Sequence, residues 1–270
     1  MAPRSATINV MTSAALKAAR GLIRDFGEVE QLQVSIKGPG DFVSTADLKA
    51  EKVLRQELGK ARPNYGFLME EGGAHKGTDT HHCWIIDPLD GTTNFLHGIP
   101  HFSIALALER DREIIAGVIY EPLRDEMFWA EKGAGAYVND RRLRVSARRH
   151  LAEALIGTGI PFVGRGDHAR YLATLAAVMA ATSGVRRLGV ASLDLAYVAA
   201  GRLDGFWEYA LKPWDIAAGL IILREAGGYA SDGAGGQSML ESGDVVAAND
   251  HLHQPLVQLL KQASNAPAAT

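Results

Sequence analysis

The chain has 270 residues, of which 47% are hydrophobic and 22% are charged, and its formal net charge is -3 at pH 7. This composition is typical of an ordinary globular protein, and the small net charge gives no sign of nucleic-acid or membrane binding. No apolar run is long enough to cross a membrane, and the single cysteine, Cys83, excludes an internal disulfide and suits a reducing compartment, so we expect a cytoplasmic protein.

The N-terminal stretch admits two interpretations. Its first acidic residue is Asp25, and the basic residues before it faintly resemble an organelle transit peptide. Apolar residues on one face indicate an amphipathic helix over residues 8–26, which is favoured because no separate linker follows it. The pattern then predicts a loop or hairpin tip at 37–41, an extended segment at 42–44, a helix over 48–60, a strand over 65–69 and a mobile loop over 72–81.

Residues 84–95 form the most distinctive stretch, Trp-Ile-Ile-Asp-Pro-Leu-Asp-Gly-Thr-Thr-Asn-Phe. The apolar run 83–86 predicts a strand buried on both faces, which we expect to stop at Asp87 because the proline after it cannot continue a central ladder. In the turn that follows, the carboxylates of Asp87 and Asp90 and the carbonyl of Leu89 can point to one side. Magnesium or calcium prefers such oxygen ligands, but the same residues also suit a plain surface turn.

The rest of the first half predicts neighbouring antiparallel strands, and so an α+β arrangement. These strands are expected over 102–108, 114–121, 126–131 and 136–138. The second half predicts strands over 155–160, 185–188, 203–209 and 245–247, and helices over 168–181, 192–200 with Ser192 as its cap, 216–226 and 252–263. We therefore expect an N-terminal α+β half, residues 1–150, and a C-terminal α/β half, residues 151–270, in one structural unit.

Several acidic residues stand at the ends of strands or the starts of helices, namely Glu70, Asp87, Asp90 and Asp215, with Asp47 as a fifth. Each has a plainer interpretation, since Glu70 suits a solvated sheet rim and Asp47 and Asp215 suit helix N-caps. If the first four converge, the cleft carries a formal charge of about -4 and requires divalent metal. The histidines and Cys83 lack the spacing of a zinc site.

Magnesium held by several carboxylates suggests a phosphate ester as substrate. The chain has no Walker-type loop, so the phosphate would be held by the metals and by the amides of Gly91, Thr92 and Thr93. Thr92, linked to Asp47, could accept or orient the proton of an activated water. No Ser-His-Asp or Cys-His arrangement stands out, so no covalent intermediate is expected.

These motifs together resemble the inositol monophosphatase family of magnesium-dependent, lithium-sensitive phosphatases. The resemblance covers nearly the whole chain and is carried by residues 84–95, by Trp-Asp-Ile-Ala-Ala-Gly at 214–219, by Glu-Ala-Gly-Gly at 225–228, and by the Glu70–Glu71 pair after Thr-Ala-Asp at 45–47. It implies a layered αβαβα sandwich of the inositol monophosphatase and fructose-1,6-bisphosphatase type, and a homodimer.

The resemblance also implies the roles of the site residues. It assigns Glu70, Asp87 and the Leu89 carbonyl to a first metal with Thr92 beside it, Asp87, Asp90 and Asp215 to a second, and a weaker third magnesium near Glu70, so two to three ions in all. Thr92, Asp47 and Glu70 are the implied catalytic residues. The implied substrate contacts are Asp90, Gly91, Thr92, Gly189, Ala191 and Glu208.

We therefore predict a magnesium-dependent phosphomonoesterase that hydrolyses myo-inositol monophosphate by metal-activated water. The Gly72–Gly73 pair, where serine often comes first, and the loop 161–167 depart from the common family pattern and leave the exact substrate open. One alternative is another sugar-phosphate, histidinol-phosphate or nucleotide 3'-phosphate phosphatase. A second is a regulatory protein that binds RNA or a transcription complex on the same fold, which the intact acids and the absence of a basic run disfavour.

Overall fold

Helices and sheets alternate in five layers in the computed structural model, which describes residues 4–28, 34–38, 41–162, 164 and 166–265. The helices are α1 (Ala6–Phe26), α2 (Thr45–Ala61), α3 (Thr92–Leu96), α4 (His168–Ala181), α5 (Ala191–Ala199), α6 (Pro213–Glu225), α7 (Met239–Ser242) and α8 (His253–Asn265), with a 3₁₀ turn at Leu151–Glu153. Among these helices, none is long and apolar enough to span a membrane.

The strands form a hairpin and two larger sheets. They are β1 (Val34–Gly38), β2 (Asp41–Ser44), β3 (Gly66–Met69), β4 (Gly73–His75), β5 (His82–Asp90), β6 (Ser103–Arg110), β7 (Glu113–Glu121), β8 (Glu126–Glu131), β9 (Gly135–Val138), β10 (Arg141–Arg142), β11 (Leu155–Thr158), β12 (Gly184–Arg186), β13 (Gly205–Glu208), β14 (Tyr229–Ser231) and β15 (Val245–Ala248). The eight-stranded sheet has the order β10-β9-β8-β7-β6-β5-β3-β4, and the five-stranded sheet has the order β12-β11-β13-β15-β14. The predicted meander is therefore the run from β5 to β10.

Three apolar cores hold the layers together. The first joins α1 and α2 to one face of the large sheet, the second places α5 and α6 between the two sheets, and the third covers the outer face of the small sheet with α4 and α8. This α-β-α-β-α succession confirms the fold class predicted from the resemblance. Each sheet buries both faces, as its mostly apolar strands require.

Strand β5 shows how both faces are covered. Trp84 and Ile86 belong to the core with α1 and α2, whereas Ile85 belongs to the core with α5 and α6. The prediction of a strand buried on both faces is confirmed. The expected stop at Asp87 is wrong, because pairing with β6 resumes where Asp90 faces Ser103, after a break in register that accommodates the proline.

Other boundaries differ for local reasons. The mobile loop expected over 72–81 contains β4, whose three residues carry little strand signal and gain their order from antiparallel pairing with β3. Ser192 does not cap α5: Val190 is the N-cap, and the Ser192 hydroxyl instead lies 2.8 Å from that of Ser103. Strand β14 and helix α7 were not predicted. The tip of the loop at 37–41 and the tail after residue 265 lie outside the described residues.

Candidate active site

The site begins at the start of α2, where Ser44 is the N-cap. Asp47, at the third helical position, accepts hydrogen bonds from the Ser44 amide at 2.9 Å and the Ser44 hydroxyl at 2.6 Å. It is therefore part of a capping box rather than the cap itself. Its carboxyl is fully buried, and this burial raises the pKa of Asp47 despite the hydrogen bonds it accepts.

The bulged end of β5 reaches the same carboxylate. The Thr92 hydroxyl lies 3.1 Å from Asp47 Oδ1 and 3.0 Å from the carbonyl oxygen of Leu89, so it can donate to either acceptor. Asp87 is buried on the same turn and accepts the Leu89 amide at 3.0 Å. One hydrogen-bonded network thus connects Asp47 of α2 with Thr92, the Leu89 carbonyl and Asp87.

Gly91 allows this turn to pack against the second half of the chain. Its φ of 94° lies in the left-handed region that favours glycine. A Cβ built on it would lie 2.8 Å from Val190 Cγ2 and 3.3 Å from the carbonyl oxygen of His101. A side chain at this position would therefore push the turn away from α5.

Parallel pairing brings Glu70 to Asp87. Strands β3 and β5 run parallel with Met69 opposite Ile86, so Glu70 and Asp87 follow at the same edge of the sheet. The Glu70 amide donates to the Ile86 carbonyl at 3.2 Å, which fixes the backbone there. Glu70 therefore lies beside Asp87 at this edge of the sheet.

Asp90 at the end of β5 and Asp215 in α6 complete the set of acids. The carboxylate of Asp90 accepts the backbone amide of Ser192 at 2.8 Å, which ties it to the first turn of α5. Asp215 lies in the first turn of α6 and accepts the amide of the N-cap residue Lys212 at 2.7 Å. As with Asp47, it supports a helix start without being the cap, and its position faces the large sheet's acidic edge.

The charges of Glu70, Asp90 and Asp215 all act on Asp87. Burial raises the pKa of Asp87 well above its usual value, and the negative charges of Glu70, Asp90 and Asp215 raise it further. The pKa of Asp90 is also raised by burial, although its hydrogen bonds from Ser192 oppose the rise. Like charges gathered at this density favour a cation or bound protons.

The donor set fits a hard divalent cation in kind, since it offers carboxylates and the Leu89 carbonyl oxygen. Within the described residues, no group of three or more acidic, histidine or cysteine side chains is already arranged as a metal site. A metal is therefore supported by the type of donor groups and by the accumulated negative charge. It is not supported by ligand distances that are already those of a metal site.

A pocket opens beside these acids between the two halves of the chain. All six residues expected to contact substrate line it, together with Asp215. Asp87 and Leu89 are instead buried, with 2% and 1% of their surface exposed, and Asp47 is buried completely. The turn therefore reaches the pocket through Asp90, Gly91 and Thr92, while Asp47, Asp87 and Leu89 lie behind this lining.

Several residues at or beneath this pocket were not predicted, and Gly159, Tyr171, Arg187 and Asp194 are among them. Gly159, Tyr171 and Arg187 line it, and Asp194 lies below it in α5. Arg187 has no hydrogen-bond or ion-pair partner among the residues that the structure describes, and neither carboxyl oxygen of Asp194 has one. A single acid inside the apolar segment 191–199 was the signal in the sequence that could have identified Asp194.

The comparisons with known proteins agree on one family. The model of the inositol monophosphatase family matches residues 4–265. The chain is 60% identical to an inositol-1-monophosphatase of Mesorhizobium japonicum over 97% of this chain and 99% of that one. It is 46% identical to a putative Nus factor SuhB of Neisseria meningitidis, over 94% and 96% of the two chains. The structure superimposes on the extragenic suppressor protein suhB of Bartonella henselae with a TM-score of 0.93 and 56% identity, over 96% and 99%.

Proposed function

Because the chain belongs to the inositol monophosphatase family, we propose that it is a magnesium-dependent phosphomonoesterase that hydrolyses myo-inositol monophosphate to inositol and phosphate. The observation that carries this proposal is the convergence of Glu70, Asp90 and Asp215 around the buried Asp87. These acids come from the end of β3, from β5 and from α6, and perturbed acids gathered in this way are typical of functional sites.

The cluster suits two to three magnesium ions. Glu70, Asp87 and the Leu89 carbonyl would hold one, and Asp90 and Asp215, with Asp87, would hold another. Magnesium bound in this way polarises a phosphate ester and makes a water molecule a better nucleophile near neutral pH.

The residues of the chain supply orientation and proton handling. The backbone amides of Gly91, Thr92 and Thr93 line the pocket and can donate to phosphate oxygens. The Thr92 hydroxyl can accept a hydrogen bond from the attacking water while it donates its own hydrogen to Asp47 Oδ1. The raised pKa of Asp47 suits a group that takes up a proton during the reaction.

The leaving alcohol would lie in the same pocket, beside Glu208. Glu208 lines the pocket and offers carboxylate oxygens, which accept hydrogen bonds from vicinal hydroxyls. Gly189 and Ala191 line it as well and contribute backbone groups. This polar lining supports a polyol ester as substrate and disfavours a purely apolar one.

A panel of phosphate esters with and without magnesium tests the proposal. Phosphate release from inositol monophosphate should exceed that from fructose-1,6-bisphosphate, histidinol phosphate and adenosine 3',5'-bisphosphate, and chelation should abolish it. A much faster reaction with another ester would reject the substrate but retain the chemistry. Activity that survives complete chelation would reject the metal mechanism.

A second candidate function is participation in a transcription complex, which the 46% identity to a putative Nus factor SuhB favours. The net charge of -3 argues against tight binding to RNA by this chain alone. Retention of the purified protein on RNA at low salt would support the candidate, and free passage would oppose direct binding. Sedimentation and a lithium titration likewise test the homodimer and the lithium sensitivity that we propose from the resemblance.

A further inference from the structure

Two glycines at the end of β11 lie beside two carboxyl groups. Gly157 lies in β11, and Gly159 directly follows its last residue, Thr158. A Cβ built on Gly157 would lie 3.3 Å from Asp194 Oδ1, and one built on Gly159 would lie 1.9 Å from Glu208 Oε1. Two acids therefore lie against this end of β11, namely the buried Asp194 of α5 and Glu208 of β13, which lines the pocket.

The contact between Glu208 and Gly159 involves the whole carboxylate. A Cβ at Gly159 would lie 1.9 Å from Cδ and Oε1 of Glu208 and 2.2 Å from Oε2. These separations are far below van der Waals contact, so the carboxylate occupies the space of the missing side chain. Gly159 does not have the positive φ of the left-handed glycines, and so space alone explains glycine at this position.

The carboxylate cannot withdraw along the strand. The space beside Gly157 is already filled, because a Cβ there would lie 2.8 Å from Leu203 Cδ1, 3.3 Å from Asp194 Oδ1 and 3.4 Å from Phe206 Cδ2. The open side is the pocket, which both Glu208 and Gly159 line. Any side chain at Gly159 would therefore displace the Glu208 carboxylate into the volume that a substrate needs.

We propose that Gly159 determines substrate specificity, because its bare α-carbon seats the Glu208 carboxylate against β11 and leaves room for a polyhydroxylated leaving group. The inference rests on the proposed function and deepens it. With Glu208 seated, an alcohol that bears two or more hydroxyls can enter and donate hydrogen bonds to the carboxylate. When Glu208 is displaced, an ester is hydrolysed at an unchanged rate only if its leaving group is small enough for the narrowed pocket and makes no hydrogen bond to the Glu208 carboxylate.

The substitution Gly159→Ala tests this seat without threatening the fold, since the atoms it meets are the end of a flexible side chain. The variant and the wild-type protein are assayed with inositol monophosphate and with phenyl phosphate, which has no hydroxyl on its leaving group. We expect kcat/KM for inositol monophosphate to fall about tenfold, mainly through KM, and kcat/KM for phenyl phosphate to stay within about twofold. Gly21→Ala in α1 is the matched control, because within the described residues no atom lies within 4 Å of a Cβ built there.

A double-mutant cycle with Glu208→Gln identifies the contact responsible. If Gly159 acts by seating Glu208, Glu208→Gln should lower inositol phosphate turnover in the wild-type background and have little further effect in the Gly159→Ala background. Full additivity, or equal losses with both esters in Gly159→Ala, would overturn the proposal. If the wild-type protein hydrolyses phenyl phosphate but no polyol phosphate, the proposed substrate class fails, and the inference about Gly159 fails with it.

Discussion

The hydroxyl of Thr92 lies 3.1 Å from Asp47 Oδ1, although the two residues are 45 positions apart in the chain. Asp47 is fixed by the first turn of α2, and Thr92 is the first residue of α3, two residues after the end of β5. The contact therefore depends on the packing of α2 against the large sheet. It places Thr92, and with it Asp47, next to the Leu89 carbonyl, and these two residues are the pair that we propose handles the proton of the attacking water.

The first prediction concerns the Thr92 hydroxyl. Thr92→Val keeps the shape of the side chain but removes the group that links Asp47 to the attacking water. We expect kcat for inositol phosphate to fall by about 10²–10³-fold with little change in KM, as measured by steady-state phosphate release. Thr92→Ser keeps the hydroxyl and should retain most of the activity. Comparable activity in the valine and serine variants would remove Thr92 from the mechanism.

The second prediction concerns Asp87, which lies among three other negative charges. Asp87→Asn should abolish turnover because it removes a proposed metal ligand, while the metal-free protein should become no less stable because repulsion is relieved. Magnesium at about 100 times its Kd stabilises a binding protein by about 2.7 kcal/mol, and this gain should be largely lost in the variant. Thermal unfolding with magnesium and with chelator measures both effects. Asp140→Asn, on the surface, is the matched control, and an undiminished magnesium effect in Asp87→Asn would contradict the ligand assignment.

The third prediction uses the buried acid of α5. Burial raises the pKa of Asp194 well above its usual value, and the charges of Glu208 and Asp90 raise it further. The folded state therefore holds a proton that the unfolded state releases, and this group lowers the stability of the metal-free protein as pH rises above the unfolded value of 3.8.

Asp194→Asn removes this titration while keeping the shape of the neutral acid. Its stability relative to wild type should rise with pH by up to about 1.4 kcal/mol per unit until the folded pKa is reached. Chemical unfolding in chelator at several pH values measures the difference, in which the contributions of the other acids largely cancel. A difference that does not change with pH would show that Asp194 is ionised in the folded protein.

The fourth prediction separates structure from catalysis within the second family motif. Glu225, at the end of α6, accepts the amides of Gly133 and Gly135, both at 2.8 Å, and so ties α6 to the β8–β9 turn. Glu225→Ala should lower the free energy of unfolding by about 1–3 kcal/mol but leave kcat within about twofold well below the melting temperature. Glu225→Gln keeps one acceptor and should show a smaller loss. A large drop in kcat with unchanged stability would give Glu225 a role in the site.

Much of the fold followed from patterns that act over short distances. The apolar run before Asp87 predicted a strand covered on both faces, and the covered faces of β5 confirm it. The prediction that proline would end this strand failed, because a bulge lets the chain rejoin the ladder at Asp90. Strand β4 was not predicted, because its strand conformation comes from pairing with β3 and not from the propensity of its own residues.

The site shows the same division. The family was identified from the motifs, and the comparisons confirm it. The ligand and contact assignments stay predictions, although the structure brings those residues to one wall and one pocket. Gly159 could not have been found from sequence, because its importance arises only where the Glu208 side chain folds back onto β11. A contact that depends on the conformation of one side chain produces no hydrophobic periodicity or motif in the sequence.

The position of α6 has a consequence for synthesis of the protein. This helix belongs to the second half of the chain, yet it packs on β5, β6, β7, β8 and β9 from the first half. When only the first half of the chain has been synthesised, one apolar face of the large sheet is therefore uncovered, and such a surface is prone to aggregation. Helix α6 covers that face and brings Asp215 to the acidic cluster. We therefore expect folding and activity to be acquired together, late in translation.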